Sequence, residues 1–392
     1  MTTESAAHWK TAAVISLYFS CAHASHMMAL GKLLNALGFA VTFILDEKYL
    51  SMADFAAIGE TVTVGGRSNR PGERAFDLAV VCNCATRNHV LVRDLRAQGA
   101  SVFYLFHEPG PLWSWSYFLS EGCRQTIRFA ISSCFNIVTV RRSTAVIVHS
   151  SCALALYEQN YLRHNSNVHA MPLLFDDEIG SDRVERARHD KRFFGFVGTA
   201  CKSHGFDVFV SFAKFVIGSG SRMPFSIATK VDLSSLLAED RELARLVREG
   251  RIRMQHGRGL SNDEINLHYL ECFCVWAVYR RSTQSGVMAN AFMAGSPVIA
   301  TRVGSFPEYV VPGVNGEFVD SVDDFGAMLR LAEKMRRDIP AYSAGSRKTF
   351  LDTFYYGANR KKLTELLRSF IPENELRSAS LKRDFEVRTN HG

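Results

Sequence analysis

The sequence lacks any run of about 18 apolar residues, the length that a membrane-spanning helix needs. Residues 1–10 are polar and carry no apolar segment of the kind that a secretion signal contains. The nine cysteines include no CxxC pair, so we expect packed, reduced thiols rather than metal ligands. These absences predict a cytoplasmic protein.

No long run of Lys or Arg concentrates the positive charge either. Lys and Arg total 46 against 39 Asp and Glu, a net charge of +7, and without a basic cluster this is weak evidence for nucleic acid. The apolar fraction of 47% and the charged fraction of 22% are typical of a soluble globular protein. They exclude a disordered chain, a coiled coil and a collagen-like fibre. At roughly 150 residues per domain, 392 residues suggest two or three domains.

What is present is a repeated alternation of short apolar strands with helical patterns. It begins with a strand at 12–19 and a helix at 26–37, and it restarts with a strand at 193–197 and a helix at 206–215. Alternation of this kind predicts parallel strands with crossover helices on both faces. Two such doubly wound units in one chain leave a ligand site at their strand ends, in a cleft between them.

The charged segment 176–192 separates the two units and is predicted to be a linker, with a solvated helix as the alternative. The predicted organisation is an N-terminal domain at 1–175, the linker at 176–192, a C-terminal domain at 193–350, terminal helices at 351–371 and a poorly ordered tail at 372–392.

The most informative stretch is 279–319. It reads as a loop, a helix that starts near Ser285, a tight turn at Gly295, a buried strand and a second loop at Gly304. Ser285 and Gly286 put small side chains where the helix begins, and its exposed amides and dipole favour an anion there. The alternative is an ordinary strand-to-helix turn that needs small residues for packing.

This stretch resembles the C-terminal signature of family 4 glycosyltransferases, which have the two-domain GT-B fold. That signature has a helix ending Glu-Ala-Met-Ala-x-Gly-x-Pro-Val-Ile-Ala, followed by Gly-Gly-x-x-Glu and Gly-x-x-Gly. The matching residues here are Ala291, Gly295, Pro297, Val298, Ile299, Ala300, Gly304, Glu308, Gly313 and Gly316. Weaker similarity covers 194–207, 145–150 and 350–367, which resemble other elements of the family's two domains.

The resemblance implies an α/β protein of the GT-B class, with two Rossmann-like doubly wound domains facing a central cleft. The first would be the acceptor domain and the second the nucleotide-sugar donor domain. It implies a hexosyltransferase that passes a sugar from a nucleotide sugar to a saccharide or lipid-linked saccharide, with retention of configuration, in surface or exopolysaccharide synthesis. It implies no metal, and no cofactor apart from the nucleotide sugar as co-substrate. Another GT-B enzyme, such as a nucleotide-sugar epimerase, and a non-catalytic nucleotide- or carbohydrate-binding protein remain alternatives.

Two departures from the family pattern concern the donor sugar. The family has a pair of glutamates that contact the donor sugar and the ribose, and the matching positions here are Ser282 and Asn290. Neither carries a negative charge, although both hydrogen-bond hydroxyls. Gln284 lies in the same loop and is a candidate for one of the contacts, and Glu308 matches the family's Gly-Gly-x-x-Glu glutamate. The chain therefore resembles a divergent member.

The family has an arginine and a lysine that neutralise the donor diphosphate. The matching positions in this sequence fall near Thr199 and His204, after the strand that ends at Gly198. Lys202 is the nearest cation and our candidate for this role, with a solvated surface lysine as the alternative. Arg280, beside Arg281, is a second candidate, because a guanidinium suits phosphate oxygens; its alternative is a solvent-facing side chain.

In the first domain, His107 matches by resemblance a histidine that the family places beside the transferred sugar. Alone, a histidine at a strand end is more often structural. Glu108 would either hold an acceptor hydroxyl or cap the following turn. The segment 111–142 then interleaves aromatic residues (Trp113, Trp115, Tyr117, Phe118) with arginines (Arg124, Arg128, Arg141, Arg142). That mixture suits peripheral contact with the inner face of a membrane and a polyprenyl-linked acceptor; a buried helix with a charged outer face is the alternative.

Overall fold

The computed structural model describes residues 10–20, 23–51, 53–64, 74–110 and 115–370, with the backbone alone for 115–122, 125 and 128. The chain divides into two compact units. Unit 1 comprises Met1–Asp176 and Tyr355–Gly392, and unit 2 comprises Asp177–Phe354. The tail that we predicted to be poorly ordered, 372–392, lies outside the described residues.

Unit 1 is built on a seven-stranded sheet in which every pairing is parallel. Its strands are β1 (Lys10–Ser16), β2 (Phe39–Leu45), β3 (Glu60–Thr63), β4 (Leu78–Cys82), β5 (Ser101–Leu105), β6 (Ala145–Val148) and β7 (Val168–Ala170), in the order β3-β2-β1-β4-β5-β6-β7. The helices that precede the second unit are α1 (Ala24–Ala36), α2 (Asn88–Ala97), α3 (Trp115–Arg142) and α4 (Ser151–Asn160). Short 3-10 turns occupy Glu47–Ser51 and Phe55–Ala57.

The central strands of this sheet are buried on both faces, which is why they read as continuous apolar runs. All five residues of β4, Leu-Ala-Val-Val-Cys, are buried. Two apolar cores follow from this arrangement, one on each side of the sheet. The core that includes α1 also receives Leu363 and Leu367 from the C-terminal segment.

Unit 2 has a six-stranded sheet, and its pairings are also all parallel. Its helices and strands are α5 (Ser181–Ala187), β8 (Phe193–Val197), α6 (Phe206–Gly218), β9 (Phe225–Ala228), α7 (Ser234–Glu239), α8 (Arg241–Arg248), β10 (Ile252–Gln255), α9 (Asn262–Leu270), β11 (Cys272–Ala277), α10 (Gly286–Met293), β12 (Val298–Ala300), α11 (Phe306–Tyr309), β13 (Gly316–Phe318), α12 (Phe325–Arg337) and α13 (Ile339–Thr349). The strand order is β10-β9-β8-β11-β12-β13. Short 3-10 segments at Arg188–Asp190 and Lys202–His204 precede and follow β8.

The chain leaves unit 2 through a π-helical turn, Phe350–Phe354, and returns to unit 1. A 3-10 turn (Tyr356–Asn359) and α14 (Arg360–Arg368) follow. The strand order of each unit reverses beside its first strand, at β1/β4 and at β8/β11. Ligands of doubly wound sheets bind at the carboxyl ends of the strands at such a point. The predicted fold class, two Rossmann-like units of the GT-B type, is confirmed.

The segment 176–192, which we predicted to be a linker with a solvated helix as the alternative, contains a helix. Residues 181–187 form α5, and Val184 on this helix is buried. The change of unit falls between Asp176 and Asp177, and the return falls at Tyr355 rather than at 351. No helix in the described part of the chain is long and apolar enough to cross a bilayer.

Candidate active site

At the carboxyl edge of the unit 2 sheet, the start of α10 lies against the loop that follows β8. Ser285 has an extended backbone, and its Oγ accepts a hydrogen bond from the amide of Met288 at 3.4 Å. Gly198 has φ +128°, and a side chain there would lie 3.2 Å from Cγ2 of Val287. Only glycine combines this backbone with so close an approach. Three predicted site residues, Gly198, Ser285 and Gly286, therefore lie together.

This first turn of α10 has the features of an anion site. Ser285 satisfies the amide of Met288, while the amides of Gly286 and Val287 belong to the donors that a helix start leaves without an intrahelical partner. Ser285 is buried and also hydrogen-bonds Tyr279. Burial raises the pKa of Tyr279, and the hydrogen bond with Ser285 partly offsets that increase. The cap and its tyrosine fix the orientation of the turn.

The opposite end of α10 is held by two buried cations. The ammonium of Lys191 donates to the carbonyl of Ala294 at 2.9 Å and to Oγ of Ser296 at 2.7 Å. The guanidinium of Arg347 donates to the carbonyl of Met293 at 2.8 Å and forms a two-pronged ion pair with Asp177. Positive charge at a helix C-terminus is stabilising because the carbonyls there carry the negative end of the dipole. Sequence reasoning missed both residues.

Burial lowers the pKa of Lys191 to about 7. The side chain is 4% exposed, and its bonded acceptors are backbone carbonyls and one hydroxyl, Ser296 Oγ. With no carboxylate among these acceptors, only neutral dipoles compensate the desolvation of the charge.

Arg280 is exposed and ion-paired. Its guanidinium makes two hydrogen bonds to the carboxylate of Asp207, at 2.6 and 2.8 Å, and one to the carbonyl of Lys202 at 2.7 Å. The hydrogen bonds from Arg280 lower the pKa of Asp207, and the same pair raises the pKa of Arg280. The positive charge is therefore matched locally, and Arg280 also holds the loop that carries Lys202.

Lys202 opens the 3-10 turn after β8, and its side chain is exposed. A stacking contact holds this turn in place. The ring of His204 stacks on that of Tyr279, with ring centroids 4.4 Å apart and an angle of 13° between the ring planes. A side chain at Gly205, where φ is +65°, would lie 2.2 Å from the carbonyl oxygen of Val278. The rigid loop thus presents the lysine at the same edge of the sheet as the start of α10.

The loop between β11 and α10 is held by a hydrogen bond within the loop, and it packs closely against the loop at Gly304. The hydroxyl of Ser282 donates to the carbonyl of Gln284 at 2.6 Å. A side chain at Gly304 would lie 2.0 Å from the carbonyl oxygen of Ser282. Gly304 also has φ +54°, so the position needs glycine for both reasons. The Ser282 hydroxyl serves the loop's own structure here.

The two remaining unit 2 residues lie on helices. Asn290 is half-buried in the second turn of α10, and Glu308 is exposed in the first turn of α11. The predicted donor-site residues thus occupy the loop after β8, the segment from Arg280 to α10, and α11.

In unit 1, His107 belongs to a stack of imidazole rings. Its ring lies 4.2 Å from that of His23 and 4.6 Å from that of His149, with planes within 24° of parallel. The ring of His26 stands edge-on to that of His149 at 5.1 Å. His107 itself is 6% exposed. Three of these rings follow β1, β5 and β6, so the histidine cluster (His23, His26, His107, His149) lies at the carboxyl edge of the sheet.

Burial favours the uncharged form of three rings of this cluster. It lowers the pKa of His23 and of His26 to about 4, and it lowers the pKa of His149 well below its ordinary value. Nδ1 of His26 lies 2.9 Å from the amide nitrogen and 3.1 Å from the carbonyl oxygen of Leu174, so the backbone of this residue holds the ring in place. Within the described residues, no three His, Cys, Asp or Glu side chains are arranged to hold a metal ion.

Sequence reasoning identified His107 but missed its neighbours as a cluster. The available signal was positional, because His107 and His149 directly follow predicted strands and His23 lies in the loop after the first. Glu108, the other predicted residue here, is exposed, and its carbonyl accepts the amide of Gly110 at 2.8 Å. In the segment 111–142, residues 111–114 and the side chains of 115–122, 125 and 128 lie outside the described residues, and the rest forms the single helix α3.

Comparison with known proteins places this geometry in a known class. Residues 191–335 match the family described as "Glycosyl transferases group 1". No curated protein sequence matches the chain significantly.

Solved structures with the same fold cover both units. Sucrose-phosphate synthase from Thermosynechococcus elongatus has a TM-score of 0.64 and 16% identity, covering 92% of this chain and 98% of its own. Anabaena HepE in complex with UDP has a TM-score of 0.63 and 13% identity, covering 92% of this chain and 100% of its own. WaaG, a glycosyltransferase involved in lipopolysaccharide biosynthesis, has a TM-score of 0.60 and 15% identity, covering 91% of this chain and 99% of its own.

The matched segment contains the loop after β8, the segment from Arg280 to α10, and α11, which together carry every predicted donor-site residue. The fold of the whole chain is that of the solved structures. The whole chain has the GT-B fold, and the similarity of residues 191–335 to the glycosyl transferases group 1 family supports a transferase.

Proposed function

We propose that the protein transfers a hexosyl group from a nucleotide sugar to a saccharide or lipid-linked saccharide, with retention of configuration, as a divergent relative of the family 4 enzymes. Unit 2 binds the donor and unit 1 binds the acceptor. The observation that carries the proposal is the capped start of α10 against Gly198, within the matched domain. A diphosphate is the group of a nucleotide sugar that helix-start amides bind best.

The donor base and sugar are proposed from a neighbour. HepE has been solved with UDP and with UDP-glucose, so UDP-glucose is the first donor to test. Its diphosphate would contact the amides of Gly286 and Val287 and the ammonium of Lys202. Asn290 would contact the ribose, with Gln284 and Glu308 near the donor sugar. His107 would hydrogen-bond the transferred sugar, and Glu108 would hold an acceptor hydroxyl.

In this mechanism the acceptor oxygen bonds to the anomeric carbon on the face that the diphosphate leaves. The bond between that carbon and the diphosphate oxygen breaks, UDP departs, and a phosphate oxygen takes the acceptor's proton. The chain's own groups stabilise the charge that develops on the diphosphate, through fixed amides and Lys202. No strong protein base and no metal are needed in this scheme.

Unit 1 also carries a surface suited to a membrane-bound acceptor. On α3, Ile127 and Ile131 are 48% and 51% exposed, and the exposed Cys123 and Cys134 lie on the same side of the helix at helical spacing. Exposed Arg124 borders this apolar face. An apolar helix face edged by arginine suits an anionic lipid surface. We extend this to peripheral contact with the inner leaflet and to a role in surface or exopolysaccharide glycan synthesis; WaaG, which has the same fold, is described as involved in lipopolysaccharide biosynthesis.

The donor part of the proposal is tested by titrating the full chain with UDP, GDP and ADP and with their glucose conjugates, in a calorimeter. We expect UDP and UDP-glucose to bind and Lys202→Ala to weaken UDP more than uridine. Lys362→Ala, which removes an exposed lysine of α14, is the matched control. No binding by any nucleotide contradicts the proposal.

Turnover separates the proposal from its rivals. A transferase releases UDP faster when acceptor saccharides are added, and the product keeps the anomeric configuration of the donor by proton NMR. An epimerase changes the nucleotide sugar without any acceptor. A binding protein takes up UDP and releases no product under any acceptor condition.

The membrane part has its own test, flotation with vesicles of phosphatidylcholine and phosphatidylglycerol. Ile127→Asp combined with Ile131→Asp should abolish flotation. Leu162→Asp, at a residue 42% exposed outside α3, should leave it unchanged. Equal flotation of all three proteins contradicts this part alone.

A further inference from the structure

Tyr18 presents an aromatic ring to solvent from a loop whose backbone is fixed by buried side chains. The residue is 62% exposed, the largest value among the exposed large apolar side chains of the described chain. Its carbonyl oxygen accepts hydrogen bonds from Oγ of Ser16 at 3.0 Å, from the hydroxyl of Tyr49 at 3.2 Å and from Nδ2 of Asn83 at 3.3 Å. The loop is therefore rigid where its ring is exposed.

The neighbours of Tyr18 anchor the same loop from the inside. The ring of Phe19 packs edge-on against that of Tyr49, with centroids 5.0 Å apart. The amide of Ser20 donates to the hydroxyl of Tyr49 at 2.9 Å. Tyr18 is exposed while the ring of the next residue packs inward. A loop whose backbone is already fixed loses little conformational entropy when a ligand covers it.

Asn83, which helps to hold this loop, has a strained backbone. Its φ of +67° makes it the one non-glycine residue with positive φ in the described part of the chain, and it is buried. This left-handed conformation is uncommon for residues other than glycine, although asparagine adopts it more readily than most. Nδ2 of Asn83 donates to Oγ of Ser16 at 3.0 Å, and its carbonyl accepts from Asn88 at 2.6 Å. Strain that the surroundings hold in this way is concentrated at ligand sites.

The position of these residues in the sheet points to a ligand independently. Ser16 is the last residue of β1, and Asn83 directly follows β4. These two strands are adjacent, and the strand order of unit 1 reverses between them. Ligands of open α/β sheets bind outside the carboxyl ends of the strands at such a reversal. The exposed ring of Tyr18 lies in the loop that leaves this point.

We infer that Tyr18 is a stacking platform for a pyranose ring of the acceptor. The inference rests on the proposed function and adds to it the residue that recognises the acceptor and the chemistry of recognition. The C–H face of a pyranose is apolar and flat, and it covers an aromatic face while its hydroxyls remain solvated. A tyrosine suits this contact because its body is apolar and its hydroxyl stays in water. Specificity then favours sugars with an uninterrupted C–H face.

The test is saturation-transfer NMR on the full chain with UDP present, using the methyl glycosides of glucose, galactose, mannose and N-acetylglucosamine, with glycerol as a polyol that has no ring. We expect ring C–H protons of at least one glycoside to receive saturation, and glycerol to receive none. Tyr18→Ala should weaken that glycoside at least fivefold. Tyr18→Phe and Tyr18→Trp should stay within twofold, because both keep the aromatic face. Leu50→Ala removes a side chain that is 50% exposed in the same unit and should have no effect.

Two results would overturn the platform. One is undiminished glycoside binding by Tyr18→Ala. The other is the absence of glycoside binding by a wild-type protein that binds UDP-glucose in the calorimeter, which leaves the proposed transferase intact. Failure to bind UDP-glucose, with a glycoside signal that still depends on Tyr18, contradicts the proposed donor chemistry instead. Melting temperatures of the variants show whether each is folded.

Discussion

The ammonium of Lys191 lies 2.9 Å from the carbonyl oxygen of Ala294, the residue that caps the C-terminal end of α10. Lys191 directly precedes the strand region of unit 2, and Ala294 closes the helix whose first turn we propose to bind the diphosphate. The same ammonium donates to the carbonyl of Leu270, at the end of α9, at 3.1 Å. A single buried charge therefore joins the carbonyl ends of two helices.

This arrangement predicts a stability that rises with pH. Burial lowers the pKa of Lys191 to about 7 from 10.5, so between these values the unfolded chain binds more protons than the folded chain. Unfolding then becomes less favourable as the pH increases, by at most about 1.4 kcal/mol per pH unit. Urea titrations at pH 6.5, 8 and 9.5 should give a free-energy difference between wild type and Lys191→Met that shifts in favour of wild type over this range. A constant difference would mean that the lysine keeps its ordinary pKa in the fold.

The histidine cluster predicts a loss of stability on acidification. Burial lowers the pKa of His26 to about 4, although its hydrogen bond with Leu174 partly raises it, and the charge of His23 lowers it further. Between pH 6.5 and 4 the unfolded chain binds a proton that the buried ring of the folded chain does not bind. The free energy of unfolding therefore falls as the pH falls. His26→Asn keeps an acceptor for the Leu174 amide and removes the titrating ring. Its unfolding free energy should depend on pH less steeply, by up to about 1.4 kcal/mol per unit.

The control for this prediction is His189→Gln, which replaces an exposed histidine of unit 2. It should follow the wild-type acid profile. If His26→Asn also follows that profile, the buried ring does not contribute to the acid lability of unit 1.

Alanine substitutions at Gly304 and Gly220 separate the effect of steric clash from that of backbone strain. A methyl group there would lie 2.0 Å from the carbonyl oxygen of Ser282, at φ +54°. At Gly220 the backbone is also left-handed, at φ +86°, but nothing lies within 4 Å of the added group. Gly220→Ala should therefore cost about 1–2 kcal/mol from strain alone. Gly304→Ala should cost more and should also weaken UDP, because the displaced loop leads into α10. Equal melting temperatures for the two variants would show that the loop yields freely.

The sequence predicted the parallel sheets because the central strands are buried on both faces and leave long apolar runs. It did not predict β3 and β7, whose residues are mostly half-buried and whose lengths are four and three residues. An edge strand that is short and half-buried has neither a clear apolar run nor a clear alternation. The helix α5 was predicted only as the alternative to a linker for a similar reason, since Val184 is the only buried residue among its seven.

The candidate site was predictable where it depends on local chain geometry, and not where it depends on distant partners. The helix start near Ser285 and the loop at Gly304 follow from residues close in sequence. The ion pair between Arg280 and Asp207 joins positions 73 residues apart, and the stacking of His23 on His107 joins two separate loops. A single sequence does not show which charges and rings meet at the edge of a sheet.

The pairing of Arg280 changes what its removal should do to nucleotide binding. Because two hydrogen bonds to Asp207 already match its charge, Arg280 adds little attraction for a diphosphate, whereas the ammonium of the exposed Lys202 is not matched in this way. We expect Lys202→Ala to weaken UDP about tenfold and Arg280→Ala to weaken it by about twofold, a difference near 1 kcal/mol.

Asp207→Asn makes this comparison decisive. It removes the negative charge and leaves an amide that still hydrogen-bonds the guanidinium, so the uncompensated Arg280 should now attract the diphosphate. We expect tighter UDP binding by this variant at low ionic strength, and we expect the gain to fade at 0.5 M salt because exposed charges are screened. Calorimetric titration at both salt concentrations measures it. A tenfold loss in Arg280→Ala together with no gain in Asp207→Asn would assign the diphosphate to the arginine and would remove Lys202 from that role.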